Sequence, residues 1–189
     1  PVKGSLVRDG REILEGQTWL AVADAGAREP LDLVLLWTVG GPPDRNAQGE
    51  FAATRLLNRC QADPRTPDTL LQHMDLTAKY PRIRTTYAFE GSLLDQLSDM
   101  SDGYTQLDGG ASRTLDASSG EAVSTAACLA SLRSLGNSGN VEIIGAPYMF
   151  ASLPVLARDG WDDGSGQYRV GHNVLTDVLS LTSVPKGSY

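Results

Sequence analysis

The sequence has little of what metal centres and nucleic-acid surfaces require. It contains two histidines and two cysteines, and 16 lysines plus arginines face 23 aspartates plus glutamates, for a formal net charge of −7. No Cys-x-x-Cys pair or histidine cluster is present, and the spacing of His73 and His172 suits neither a metal site nor a catalytic triad. The acidic balance opposes binding to phosphate backbones. We therefore expect no metal, no cofactor and no nucleic-acid partner.

Long apolar runs are also absent, so we expect no membrane span. The sequence has no Gly-x-Ser-x-Gly nucleophile elbow and no glycine-rich phosphate loop with the required spacing. It begins at Pro1 without an apolar signal segment, as expected of a processed, exported chain or of a fragment. Cys60 and Cys128 both fall in predicted helices, and the sequence leaves open whether they pair or stay free.

The clearest structural signal is an apolar run over residues 31–37 that ends in Gly40-Gly41-Pro42-Pro43. A run this short and continuous is typical of a strand buried on both faces of a parallel sheet. Two further strands are predicted at 83–89 and 141–145, with helical patterns between them. A βαβ series of this kind implies parallel strands, right-handed crossovers and a single α/β domain with a sizeable core.

Two other segments have less definite patterns. Residues 1–30 are predicted to form a helical extension that ends at Pro30, because a loose helical stripe of apolar residues runs along them: Ile13, Trp19, Leu20, Val22 and Ala23. Residues 101–120 are rich in glycine, serine and aspartate and are predicted to be a loop.

Four motifs follow one another along the chain. They are Trp37-Thr38-Val39-Gly40-Gly41-Pro42; residues 79–84 (Lys-Tyr-Pro-Arg-Ile-Arg) with 92–97 (Ser-Leu-Leu-Asp-Gln-Leu); residues 141–144 (Val-Glu-Ile-Ile) with 147–156 (Pro-Tyr-Met-Phe-Ala-Ser-Leu-Pro-Val-Leu); and residues 184–189 (Val-Pro-Lys-Gly-Ser-Tyr). Together they resemble the N-terminal part of the family 57 glycoside hydrolases, the α-amylase and branching-enzyme group. The resemblance implies a partial (β/α) barrel-like parallel sheet with flanking helices over residues 31–189, as part of the family's distorted (β/α)7 barrel.

The chain departs from that family at its polar positions. The family's first motif reads Trp-His-x-His-Gln-Pro, whereas Thr38, Gly40 and Gly41 stand at its histidines and glutamine here, and Phe150 replaces the histidine of the third motif. These residues cannot reproduce the family's hydrogen-bond donors. The family's catalytic carboxylates lie on later strands, and glycoside hydrolysis needs two carboxylates. We therefore assign no catalytic residue.

The candidate binding residues lie at or near strand ends, where parallel α/β sheets bind ligands. Glu142 is an ionisable group within an apolar strand and falls on the family's strand glutamate; it either binds a polar ligand or forms a structural pair. Glu90 closes the second strand and faces the same mouth in this interpretation. The remaining candidates are aromatic residues that stack on sugars or complete the core, and two glycines at the rim: Trp37, Tyr148, Phe150, Gly40 and Gly41.

Three functions fit this sequence. The first is a non-catalytic, glycoside-hydrolase-like structural or interaction subunit, for example in a cell-surface assembly. The second is a carbohydrate-active enzyme acting on α-glucans, completed by another chain or by a missing C-terminal part. The third is a carbohydrate-binding module. Because a short parallel sheet has unpaired edges, which proteins usually cover, we also expect a protein partner or an oligomer.

Overall fold

A computed structural model describes residues 2–8, 11–18, 35–52, 55–60, 69–150 and 152–181. Contacts between Cα atoms divide the chain into two units, Pro1–Leu33 and Val34–Tyr189. The domain boundary predicted from the sequence lies between residues 30 and 31.

The first unit contains an antiparallel hairpin of β1 (Val2–Arg8) and β2 (Arg11–Thr18), with an irregularity in register between Leu6 and Val7. The prediction of a helix is therefore wrong for these residues. In the sequence, the dipeptide Asp9-Gly10 lies between the two strands, and Asp-Gly favours tight hairpin turns. This signal outweighs the loose helical stripe. Most of the predicted helical stripe, Trp19 to Ala23, lies outside the described residues.

The second unit alternates strands and helices. Its elements are β3 (Leu35–Val39), α1 (Arg55–Arg59), α2 (Leu70–Lys79), β4 (Thr85–Phe89), α3 (Gly91–Ser101), β5 (Gly103–Asp108), β6 (Ala111–Asp116), α4 (Gly120–Gly136), β7 (Val141–Ile144), α5 (Leu153–Arg158) and α6 (Gly164–Leu179).

The three predicted strands form one parallel sheet in the order β3-β4-β7. In register, Trp37 lies beside Tyr87 and Tyr87 beside Ile143. The α/β class, the parallel pairing and the flanking helices are confirmed. Within the described part of the chain the sheet is open, with β3 and β7 at its two sides.

The two faces of this sheet differ. Side chains alternate along a strand, so Trp37, Tyr87 and Ile143 share one face and Leu36, Thr86 and Glu142 share the other. The first face packs into the main core: Thr77 of α2 hydrogen-bonds Tyr87 across 2.7 Å. On the second face Leu36 is 46% exposed and Glu142 is exposed. The expectation that the first strand is buried on both faces is therefore wrong, because β3 is an edge strand in the described sheet and the core covers one face.

Helices α3, α4 and α6 pack together and complete the core. The apolar stripe of α3 is fully buried at Leu94, Leu97 and Met100. Gly171 of α6 lies so close to the chain after β7 that a Cβ there would be 2.3 Å from the carbonyl oxygen of Ala146. This close approach brings α6 against the loop that follows the sheet.

The segment predicted as a loop over residues 101–120 contains the antiparallel hairpin β5–β6 and is corrected here. Gly109 and Gly110 form its two-residue turn with φ values of +56° and +89°, which glycine adopts at little steric cost. Phe51 joins this hairpin through its backbone, since its N–H donates to the carbonyl oxygen of Thr105 and its carbonyl accepts from the N–H of Leu107. The Gly-Gly dipeptide was the signal for this turn.

A disulfide between Cys60 and Cys128 fastens the end of α1 to α4, with the two Cα atoms 5.5 Å apart. Both cysteines are buried in the core. The bridge resolves the question that the sequence left open, and it closes a separation of 68 residues.

Reduction of this disulfide is expected to lower the free energy of unfolding. A closed loop of this length contributes about 4 kcal/mol by limiting the entropy of the unfolded chain. Urea denaturation of the oxidised and reduced protein measures the difference. The matched control is the double variant Cys60→Ala/Cys128→Ala, whose stability should not respond to reductant. Equal stability of the oxidised and reduced wild-type protein would contradict the account.

Candidate functional site

The loops that follow β3 and β7 meet at the carboxyl edge of the sheet, where Glu90 joins them. Glu90 ends β4 and stands immediately before α3, and it is buried. Its carboxylate accepts a 2.8 Å hydrogen bond from the N–H of Gly41 and a 2.9 Å bond from the N–H of Phe150. A buried carboxylate is costly without such partners. Both carboxylate oxygens therefore serve to hold the two loops together.

The same contact leaves no space at Gly40. A Cβ on this residue would lie 2.5 Å from Oε2 of Glu90 and 2.7 Å from Cε2 of Phe150. The ring of Phe150 thus lies against the backbone of Gly40, while 40% of the side chain stays exposed. Any side chain at position 40 would force the ring or the carboxylate to move.

Arg59 approaches the loop after β3 from α1. Its Nη1 donates a 2.7 Å hydrogen bond to the carbonyl oxygen of Gly40, and its Nη2 would be 3.0 Å from a Cβ on Gly41. Because Cys60 is the next residue, the disulfide also holds this arginine near the sheet edge. Gly41 therefore has the guanidinium of Arg59 at one side and donates its N–H to Glu90.

A second polar cluster joins the same loops to α3. The hydroxyl of Tyr148 donates a 2.8 Å hydrogen bond to Asp95, and Arg45 donates to Asp95 across 2.9 Å and to Asp99. Gln96 accepts hydrogen bonds from the backbone of Asp44 and Arg45. Burial raises the pKa of Tyr148, and the hydrogen bond to Asp95 and its negative charge raise it further. The cluster is a neutral phenol held by an ion-paired carboxylate.

The structure brings together five of the seven predicted site residues: Glu90, Gly40, Gly41, Phe150 and, through the backbone, Tyr148, whose carbonyl accepts from Ser92 at the start of α3. Trp37 takes no part in these contacts, although it lines one small cavity together with Gly40. Its indole lies on the helix-covered face, where its ring contacts the edge of His73 at 4.7 Å between centroids.

Glu142 is also separate. It lies in the middle of β7 on the exposed face, where it accepts a 3.3 Å hydrogen bond from Thr86. Trp37 and Glu142 are thus on opposite faces of the sheet and on strands separated by β4. The sequence left two roles open for Glu142, binding a polar ligand or forming a structural pair. The long hydrogen bond from Thr86 on the neighbouring strand is a weak structural contact, and the ligand role stays a prediction.

Sequence reasoning missed Arg59, Arg45, Asp95 and Asp99. The spacing of Asp95 and Asp99 by four residues on α3 was a detectable signal, because it places both carboxylates on one side of a helix. Arg45 is 50 residues from its partner Asp95, and Arg59 is 19 residues from its partner Gly40. A contact of that range leaves no local pattern.

The described residues contain no group of three or more histidine, cysteine, aspartate or glutamate side chains placed to hold a metal ion. They also contain no helix with the length and hydrophobicity of a membrane span. Comparison of the sequence with family models and with curated proteins finds no match.

Replacing Glu90 by glutamine is expected to lower the free energy of unfolding by about 1–3 kcal/mol, because the amide NH2 would face one of the two backbone N–H donors. Urea denaturation measures this change. Glu142→Gln is the matched control, since Glu142 is exposed and has one long bond, and its effect should stay within about 0.5 kcal/mol. Equal effects of the two substitutions would show that the carboxylate of Glu90 does not hold the loops.

Stability is expected to fall as pH rises above about 10, the ordinary pKa of tyrosine. Burial is the largest cause that raises the pKa of Tyr87, Tyr104 and Tyr148 in the folded protein. The unfolded state therefore releases these protons first, and the stabilisation present below that pH is lost as pH rises through the folded pKa values.

Urea denaturation across this alkaline range tests the expectation. Tyr148→Phe should reduce the loss of stability with pH, whereas Tyr80→Phe, at an exposed position, should leave it unchanged. An identical pH dependence in the Tyr148→Phe variant and the wild-type protein would contradict the assignment.

Proposed function

We propose that this chain is a non-catalytic structural or interaction subunit built on a partial, glycoside-hydrolase-like barrel. The observation that carries the proposal is that the residues at the rim of the sheet contact one another. Glu90, Gly40, Gly41 and Phe150 are engaged with one another across the carboxyl edge of the sheet. Residues committed to holding loops together are not free to bind and release a sugar.

The sheet supports the barrel part of the proposal. In a (β/α) barrel, helices cover the outer face of parallel strands and the other face points inward. Here the core lies on the face of Tyr87, and Thr86 and Glu142 lie on the less covered face. The motifs that resemble family 57 lie in β3 and the loop after it, between the end of α2 and the start of β4, in α3, in β7, and from Pro147 into α5. Residues 184–189 lie outside the described residues.

The substitutions at the rim support a non-catalytic role. Thr38, Gly40 and Phe150 stand where the resemblance would require histidines, and none of the three offers an imidazole donor. A Cβ at Gly40 would clash with Glu90, so a histidine cannot replace this glycine without rearrangement. Glycoside hydrolysis also needs a pair of carboxylates across the scissile bond. Glu90 uses both of its oxygens elsewhere.

The face of Thr86 and Glu142, which the described residues leave more exposed, is the surface on which we expect a protein partner or a second copy, since parallel sheets are ordinarily covered on both faces. The disulfide supports an exported or cell-surface location, because such bridges persist in oxidising compartments. The alternative of an enzyme completed by another chain would use the same face, with Glu142 directed toward the missing strands.

A carbohydrate-binding module is the other alternative, and the exposed ring of Phe150 at the sheet edge favours it. Aromatic faces at such positions stack against sugar rings. The engagement of this ring with Gly40 favours the structural role instead.

Incubation with soluble starch and maltooligosaccharides, followed by an assay for new reducing ends, tests the proposal. We expect no turnover and no heat of binding in calorimetry with the same sugars, with an active α-amylase as the positive control. Turnover that is lost in Glu142→Gln would establish the enzyme alternative. Sugar binding without turnover that is lost in Phe150→Ala and kept in Trp161→Ala, at another exposed aromatic position, would establish the binding module.

A further inference from the structure

A groove runs between β3 and α2 on the helix-covered side of the sheet. Its larger part is a cavity of about 220 Å³ with buried Thr85 and Tyr87 at the bottom. Its walls are the side chains Trp37, Leu76, Tyr80 and Ile83. Past Trp37 and His73 it continues into a second cavity of about 160 Å³ that extends to Gly40 and Arg59. Trp37 and His73 line both cavities, and their rings contact each other at 4.7 Å between centroids, so this pair of rings stands between the two.

The larger cavity is apolar and accessible. Its wall side chains are exposed by between 39% at Trp37 and 53% at Leu76. The hydroxyl groups of Thr77 and Tyr87 are already satisfied, because Thr77 Oγ1 and the phenol oxygen of Tyr87 share a 2.7 Å hydrogen bond. Water in such a cavity has few polar partners. Concave, exposed apolar surface with paired polar groups is typical of a site for an apolar ligand.

The smaller cavity ends at a cation. Arg59 is half-buried, and the hydrogen bond of its guanidinium is to the carbonyl oxygen of Gly40, at 2.7 Å. No carboxylate of the described residues lies within ion-pair distance of it. A guanidinium has five N–H donors, so most of them are free for an anionic group. A half-buried arginine with no ion pair to any described residue is a notable feature in a chain of net charge −7.

We infer that this groove binds a small anionic amphiphile, a medium-chain carboxylate. Its head group lies at Arg59 and its chain extends past Trp37 into the cavity bounded by Tyr80 and Ile83. The combined volume of the two cavities is at the lower end of the range for small-molecule sites, which fits a single chain. The inference goes beyond the proposed function, since it concerns a small-molecule ligand. The groove touches the rim at Gly40, but Glu90, Gly41 and Phe150 do not line it.

Calorimetric titration with octanoate tests the inference, with 1-octanol as the uncharged match and butyrate as the short one. We expect one octanoate to bind per chain and butyrate to bind more weakly. Arg59→Gln should weaken octanoate binding roughly tenfold or more, the effect of losing a charge-assisted hydrogen bond, and leave 1-octanol binding unchanged. Arg169→Gln, at an exposed position on α6, is the matched control and should leave both unchanged.

A second variant decides the case if Arg59→Gln fails to fold, as judged by circular dichroism. Ile83→Asp places a carboxylate on an exposed part of the wall and should abolish octanoate binding without loss of structure. Absence of octanoate binding to the wild-type protein would overturn the inference. So would equal binding by the folded Arg59→Gln or Ile83→Asp variants. Binding to phosphatidylglycerol vesicles without binding of free octanoate would assign the groove to a membrane surface and equally overturn it.

Discussion

The hydrogen bonds that Glu90 accepts from Gly41 and Phe150 fix the positions of the loops at the carboxyl edge of the sheet. Burying the carboxylate of Glu90 is favourable only while both N–H groups point at it. That requirement fixes the loops after β3 and β7 relative to α3. It also explains why position 40 is glycine, since the carboxylate and the ring of Phe150 occupy the space of a side chain. Because both oxygens of the Glu90 carboxylate accept these backbone hydrogen bonds, Glu90 is a poor candidate for binding a sugar.

The sheet has two surfaces with different chemistry, and the difference follows from its register. The face of Tyr87 packs against the core, and at β3 it borders the groove between β3 and α2. The face of Thr86 and Glu142 is more exposed. If the sheet is part of a barrel, as proposed, the face of Thr86 and Glu142 is its inner face. The proposed docking surface for a partner and the proposed site for a small anionic ligand therefore lie on opposite sides of the sheet.

Much of the secondary structure was predictable because its signals are local. The strands at Leu35–Val39, Thr85–Phe89 and Val141–Ile144 stand out through continuous apolar or β-branched residues. The hairpin around Gly109-Gly110 was not predicted, because a segment rich in glycine, serine and aspartate is equally typical of a loop. The site was less predictable. The sequence predicts Trp37 near the end of one strand and Glu142 within another, but only the register shows that their side chains lie on opposite faces of the sheet. The approach of Arg59 depends on a disulfide whose pairing no local pattern fixes.

Hydrogen exchange at the amides of Gly41 and Phe150, followed by nuclear magnetic resonance, tests most directly whether Glu90 holds the two loops. If it does, both amides exchange about as slowly as those of the central strand β4, although they lie in loops. Both become fast together in Glu90→Gln, while the amides of β4 retain their order of protection. Rapid exchange of Gly41 and Phe150 in the wild-type protein would contradict the account, because the rim would then be free to open to a ligand.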